Sequence, residues 1–238
     1  AERHVEEFTN RSFKEPATLF DDYSGRGRAA HEAEMNLLTD MHWGGDSKVY
    51  PEVMDELGIP ENSSWDKAAL TGELNRMTES QRANWDKAYM KVNEDFKKAY
   101  PTMTEKDKMK WRYQRYMQDY LGTIKAVDEN VGRVLDYLEA NDLMENTIIV
   151  YTSDQGFYLG EHGWFDKRFV YNESFKTPLL MAWPNRVKAG TKSDEMVQNL
   201  DFAQTFLEAA GIEAPADMQG ESLLPLLTGE TDKWTREA

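Results

Sequence analysis

With 238 residues, 40% of them hydrophobic and 12% aromatic, the chain can build one large domain or two small ones, which excludes a disordered polypeptide. Asp and Glu number 43 against 28 Lys and Arg, a net charge of −15 that makes the chain a poor generic binder of nucleic acid. The absence of cysteine excludes disulfides, thiolate metal sites and cysteine nucleophiles, and no apolar stretch approaches the ~20 residues of a membrane-spanning helix.

The polar, acidic start, AERHVEEFTN, lacks the basic and apolar regions of a signal peptide. This end and the polar Gly229–Ala238 end both read as cuts through a larger sequence. Ser24 to Met41 predicts a helix after a Gly-rich turn, and His42 to Pro60 carries the punctuation of a loop in Gly44, Gly45, Pro51, Gly58 and Pro60. Thr78 followed by Gln81 has capping-box spacing. Trp85, Tyr89, Val92, Phe96 and Tyr100 then mark one face of a helix ending at Pro101.

Thr104 and Asp107 give a second start signal. Tyr113, Tyr116, Met117, Tyr120, Ile124, Val127, Val131, Val134, Leu135 and Leu138 continue from it as one apolar stripe of helical period. After Asn141 and Asp142, Thr147–Tyr151 (TIIVY) reads as a buried strand, and so does Pro178–Trp183 (PLLMAW). Asp201 is placed as the cap of a helix that Gly211 stops. The expected fold class is α/β, a parallel or mixed sheet flanked by helices. Residues 1–112 form a mostly helical region, and residues 113–228 the α/β part.

Ligands in open α/β sheets bind beyond the carboxyl ends of strands, which directs attention to Thr152, Ser153, Asp154, Gln155 and Gly156. A carboxylate followed by an amide oxygen suits Ca²⁺ or Mg²⁺, although local sequence alone favours Asp154 satisfying the backbone of its own turn. The following FYLGEHGWFDK, Phe157 to Lys167, is too rich in Gly and aromatics for a simple connection. Lys167 is a candidate point charge on an anionic ester or a solvated surface lysine. His162 could be a general acid, a metal ligand or a hydrogen-bonded turn residue. Trp43, Trp164 and Arg168 could line a sugar site, yet each is as easily a core or surface residue.

Thr152 to Pro184, TSDQGFYLGEHGWFDKRFVYNESFKTPLLMAWP, resembles the type I, formylglycine-dependent sulfatases of the alkaline phosphatase superfamily. The resemblance extends through NVGRVLDYLEANDLMENTIIV before it and NLDFAQTFLEAAGIEAP and GESLLPLL after it, covering about Tyr113 to Leu227. KEPATLFDDYSGRGRAAHEAEM is similar to bacterial carbohydrate sulfatases, including N-acetylglucosamine-6-sulfatases. The resemblance implies an alkaline-phosphatase-like fold, incomplete at its N-terminus, and hydrolysis of sulfate esters of a sulfated carbohydrate. It implies Asp154 and Gln155 as Ca²⁺ ligands, Mg²⁺ being the less fitting ion, and Lys167 as the cation on sulfate. His162 joins Lys167 as a catalytic candidate, and Arg168 joins it in substrate binding. A periplasmic or secreted location goes with the family.

The family nucleophile, a formylglycine made within [CS]-x-P-x-R, has no counterpart here and is expected in an upstream segment. Asp21 and Asp22 follow Leu19 and Phe20 without an apolar strand and read as loop or cap carboxylates rather than the family's first metal ligands. The chain alone is therefore expected to be inactive. A phosphodiesterase or phosphonate hydrolase of the same superfamily, and a non-catalytic binder of sulfated glycans, are the rival readings.

Overall fold

The computed structural model describes residues 2–230 and 234. Helices α1 (Arg28–His31), α2 (Pro51–Leu57), α3 (Asp66–Arg76), α4 (Glu79–Ala99) and α5 (Glu105–Ala140) precede strand β1 (Ile149–Thr152). Strands β2 (Tyr158–Leu159) and β3 (Phe165–Asp166), helix α6 (Asn172–Phe175), strand β4 (Leu179–Ala182) and helices α7 (Asp201–Ala209) and α8 (Leu224–Thr228) follow. Two compact units result, Ala1–Arg133 with Gln155–Lys176, and Val134–Asp154 with Thr177–Ala238. The sequence placed its change of character at residue 113 instead.

The first unit is helical, and its local signals work as written. Thr78 Oγ1 accepts from Gln81 N at 3.3 Å while Gln81 Oε1 accepts from Thr78 N at 3.0 Å, closing the capping box that starts α4. Thr104 and Asp107 make the equivalent reciprocal pair before α5. Tyr89 and Phe96 from α4, and Met109 and Tyr113 from α5, are buried in the apolar clusters. Arg112 is buried with them. It lies over the Trp43 ring at 4.0 Å and donates to the carbonyls of Leu38, at 2.9 Å, and Met41.

Two sequence expectations fail in this unit. Of Ser24–Met41, only Arg28–His31 is helical. The rest is held by tertiary bonds that a helix would forbid: Leu37 N donates to Gly163 O at 2.8 Å and Phe165 N to Met35 O at 2.9 Å. His42–Pro60 is not all loop, because Pro51–Leu57 is helical. Pro51 occupies the first turn, where its missing N–H costs nothing, and Gly58 closes the helix with φ of +62°. The same punctuation residues bracket a helix.

In the second unit, β1 and β4 form an antiparallel ribbon in the register Ile149↔Ala182, Val150↔Met181, Tyr151↔Leu180 and Thr152↔Leu179. The two apolar runs are strands, as read, but they pair antiparallel and neither is fully buried. Tyr151 is 41% and Leu180 59% exposed. Asp201 is one residue inside α7 rather than its N-cap, which is Leu200. Its buried carboxylate accepts from Gln198 N at 2.7 Å and Glu221 N at 3.0 Å. Thr205 Oγ1 adds a bond from Leu223 N at 2.8 Å, fixing the approach to α8 against α7. Gly211, at φ of +71°, follows the C-cap as expected.

Candidate functional site

Strands β2 and β3 pair antiparallel, Tyr158↔Asp166 and Leu159↔Phe165, and hold the Gly160–Trp164 loop against the first unit's core, where Gly160, Gly163 and Trp164 are buried. The loop turns through positive φ at Gly160, His162 and Gly163. Gly163 is obligatory for a second reason: a Cβ there would lie 2.6 Å from Met109 Cε and 2.9 Å from Leu19 O. His162 pays for its left-handed backbone with specific bonds. Its N–H donates to Thr18 Oγ1 at 3.0 Å and its carbonyl accepts from Tyr23 Oη at 2.7 Å.

The imidazole is mostly buried, edge-on to Tyr171 with centroids 5.3 Å apart and tilted against Trp164. Its Nδ1 lies 2.7 Å from Asp21 Oδ2. Arg26 Nη2 approaches the same oxygen at 2.8 Å, while Asp21 Oδ1 accepts from Tyr23 N at 2.9 Å. Burial acts to raise the Asp21 pKa, but the bonds from His162 and Tyr23 and the Arg26 charge outweigh it and hold the carboxyl below its usual 3.8. Asp21 thus caps a turn, as its local sequence says, and also grips a histidine far along the chain. No spacing rule reaches across that distance.

Lys167 and Arg168 leave β3 on either side of one carboxylate. Lys167 Nζ lies 3.7 Å from Asp166 Oδ1 and Arg168 Nε 3.0 Å from Asp166 Oδ2. The lysine side chain is 44% exposed and the arginine 74%, so both cations reach solvent and can swing to an anion at little cost. Asp166, absent from the sequence reading, is the counter-charge that holds them in waiting. Of the two readings open for Trp43 and Trp164, sugar site or core, the structure gives the core for both: each is buried.

Gln155 and Asp154 fall on opposite sides of the division between the units. Asp154 is exposed, with Oδ1 at 3.4 Å from Ser153 Oγ and its carbonyl accepting from Asn199 Nδ2 at 3.2 Å. Gly156 N donates to Ser174 O at 2.8 Å, and any Cβ at 156 would fall onto the Glu173 carbonyl. Gly156 is needed for close approach, not for a relaxed turn. As hard oxygen donors Asp154 and Gln155 fit Ca²⁺ in type, but two side chains fall short of its six to eight ligands. Among the described residues no group of three His, Cys, Asp or Glu could hold a metal ion.

Along nearly its whole length the chain is similar to sulfatases. Residues 160–238 match the family of N-sulphoglucosamine sulphohydrolase, C-terminal. The chain is 45% identical over 230 residues to an N-acetylglucosamine-6-O-sulfatase of Bacteroides thetaiotaomicron, covering 97% of this chain and 40% of that protein. It is 30% identical to an ulvan-active sulfatase of Formosa agariphila, over 91% of this chain and 36% of the relative. Among solved structures, BT4656 in complex with its substrate D-glucosamine-2-N,6-O-disulfate matches all of this chain and 47% of its own, with a TM-score of 0.86 and 43% identity. A phosphonate monoester hydrolase from Silicibacter pomeroyi matches 57% of this chain and 26% of its own, at a TM-score of 0.51 and 32% identity. The fold is therefore the alkaline-phosphatase-like fold of the sulfatases. The chain spans less than half the length of these relatives.

Proposed function

We propose that the chain is part of an enzyme that hydrolyses sulfate esters of a sulfated carbohydrate. The observation that carries this reading is the 45% identity, over 97% of the chain, to an N-acetylglucosamine-6-O-sulfatase. The local chemistry agrees with it. Lys167 and Arg168 meet the anionic head of the ester, exchanging their shared Asp166 for the sulfuryl oxygens. Asp154 and Gln155 would take part in holding Ca²⁺, which when bound supplies Lewis-acid stabilisation of negative charge on the ester. The remaining oxygens of the ion and the formylglycine nucleophile belong to sequence other than these 238 residues. Sulfatases among the relatives carry the description extracellular, which supports a periplasmic or secreted setting. No helix of the described residues is long and apolar enough to cross a membrane.

Without a nucleophile, binding and electrostatics leave only a residual rate, so the chain alone is inactive. The likeness to a phosphonate monoester hydrolase supports a second reading within the same superfamily. The deciding experiment assays the longest natural polypeptide containing this chain on N-acetylglucosamine 6-sulfate, 4-nitrophenyl sulfate and a phosphonate monoester. Sulfate release from the sugar is expected. Turnover of the phosphonate with no sulfate release would replace the sulfatase reading, and full turnover by the 238-residue chain would refute the inactivity.

A further inference from the structure

We propose that Asp21 is a positioning residue that fixes the tautomer of His162, and that His162 Nε2 and the Glu173 carboxylate together accept hydrogen bonds from neighbouring ring hydroxyls of a sugar. The second half rests on the sulfatase reading; the first does not.

The imidazole has one ring nitrogen committed. Asp21 accepts only, being held as a carboxylate by Arg26 and the Tyr23 N–H, so the His162 atom 2.7 Å away must carry the proton. In the neutral imidazole, Nδ1–H leaves Nε2 as a lone pair. Rotation of the ring is blocked by Trp164 and Tyr171 on its faces and edge, and the backbone is pinned through Thr18 and Tyr23. Arg26 stiffens the arrangement from behind, donating to Tyr171 Oη at 3.2 Å and lying over the Tyr171 ring at 5.3 Å.

Nε2 then faces Glu173 Oε1 across 4.0 Å, too far for a direct hydrogen bond. Two acceptors side by side want donors, and adjacent hydroxyls on a pyranose supply one O–H to each. Glu173 cannot drift from this position easily. Its carbonyl packs against Gly156, and the next residue, Ser174, accepts the Gly156 N–H. The acceptor pair is therefore built into the same strip of chain as the metal-type turn.

The first test reads the imidazole directly. In the 238-residue chain, ¹⁵N long-range NMR at neutral pH is expected to show His162 as the Nδ1–H tautomer, with His162→Gln used to assign the signals. Asp21→Asn, whose NH₂ competes for Nδ1, is expected to lose that tautomer. An Nε2–H tautomer in the unmodified chain overturns the positioning role whatever any variant does, as does an unchanged tautomer in a folded Asp21→Asn.

The second test uses the longest natural polypeptide containing the chain. Asp21→Asn and Glu173→Gln are each expected to lower kcat/KM for N-acetylglucosamine 6-sulfate by about tenfold more than for 4-nitrophenyl sulfate, which has no ring hydroxyls. An unchanged sugar-to-aryl ratio overturns the hydroxyl site. If the unmodified enzyme releases sulfate from neither substrate, the sulfatase reading fails, and hydroxyl recognition with it, while the tautomer result stands on its own.

Discussion

Asp21 Oδ2 and His162 Nδ1 lie 2.7 Å apart although the two residues are 141 positions apart in the chain, so a short turn and a Gly-rich loop are locked to each other. The carboxyl's depressed pKa makes this lock pH-dependent. A carboxylate whose folded pKa lies below its unfolded value contributes stability that is complete above the unfolded value, near 3.8, and is lost as pH falls through the folded value. Asp21→Asn should therefore lower Tm at neutral pH, with the gap to the unmodified chain closing as pH falls below the ordinary carboxylate value and through the depressed one. Melting curves across that range decide the matter, and a gap that stays constant with pH would count against it.

Asp166 sits between the two exposed cations of the proposed anion-binding edge. Replacing it by Asn removes the competing charge, and Asn tolerates the left-handed backbone at φ of +70°. Asp166→Asn is expected to bind inorganic sulfate more tightly, an effect that fades with salt because the cations are solvent-exposed. Calorimetric titration at low and high ionic strength checks this. Weaker binding by the variant would show that Asp166 positions Lys167 and Arg168 for the anion rather than competing with it.

Much of this structure is legible where the information is local. The Thr78–Gln81 box, the long α5 stripe, both apolar runs and the Gly211 stop are all set by residues within a few positions of one another. Ser24–Met41 was misread because helix propensity there is overruled by backbone bonds to residues 163 and 165. The candidate site divides the same way. Lys167 and Arg168 stand out by type and motif, whereas Asp166 acquires meaning only from the short strand that presents it, and Asp21 only from the fold. The motif could point to His162; its partner lay outside any window.

Arg112 illustrates a core position that an apolar-stripe reading passes over. Its guanidinium is fully buried, and desolvation pulls its pKa down, yet two carbonyl acceptors and the Trp43 face keep it in place. Arg112→Ala leaves Leu38 O without its partner and opens a void beside Trp43. The Met41 carbonyl keeps the amide of Asn62. A loss of about 3 kcal/mol is expected from urea unfolding. A loss under about 1 kcal/mol would mean that the surrounding helices close the gap.

The β1–β4 ribbon carries apolar side chains on both faces, and the face bearing the cross-strand pair Tyr151 and Leu180 is open to water. An exposed apolar face on a short strand pair is a template for association with other chains. Leu180→Lys adds a charge to that face without disturbing the more covered one, so it is expected to reduce self-association while leaving the melting temperature within a few degrees. Leu179→Lys, one residue earlier, puts the same charge on the more covered face, because successive side chains alternate. It should destabilise the second unit instead. Light scattering and thermal melts of the two variants separate the cases: equal effects from neighbouring positions would mean that the ribbon does not hold its register in solution.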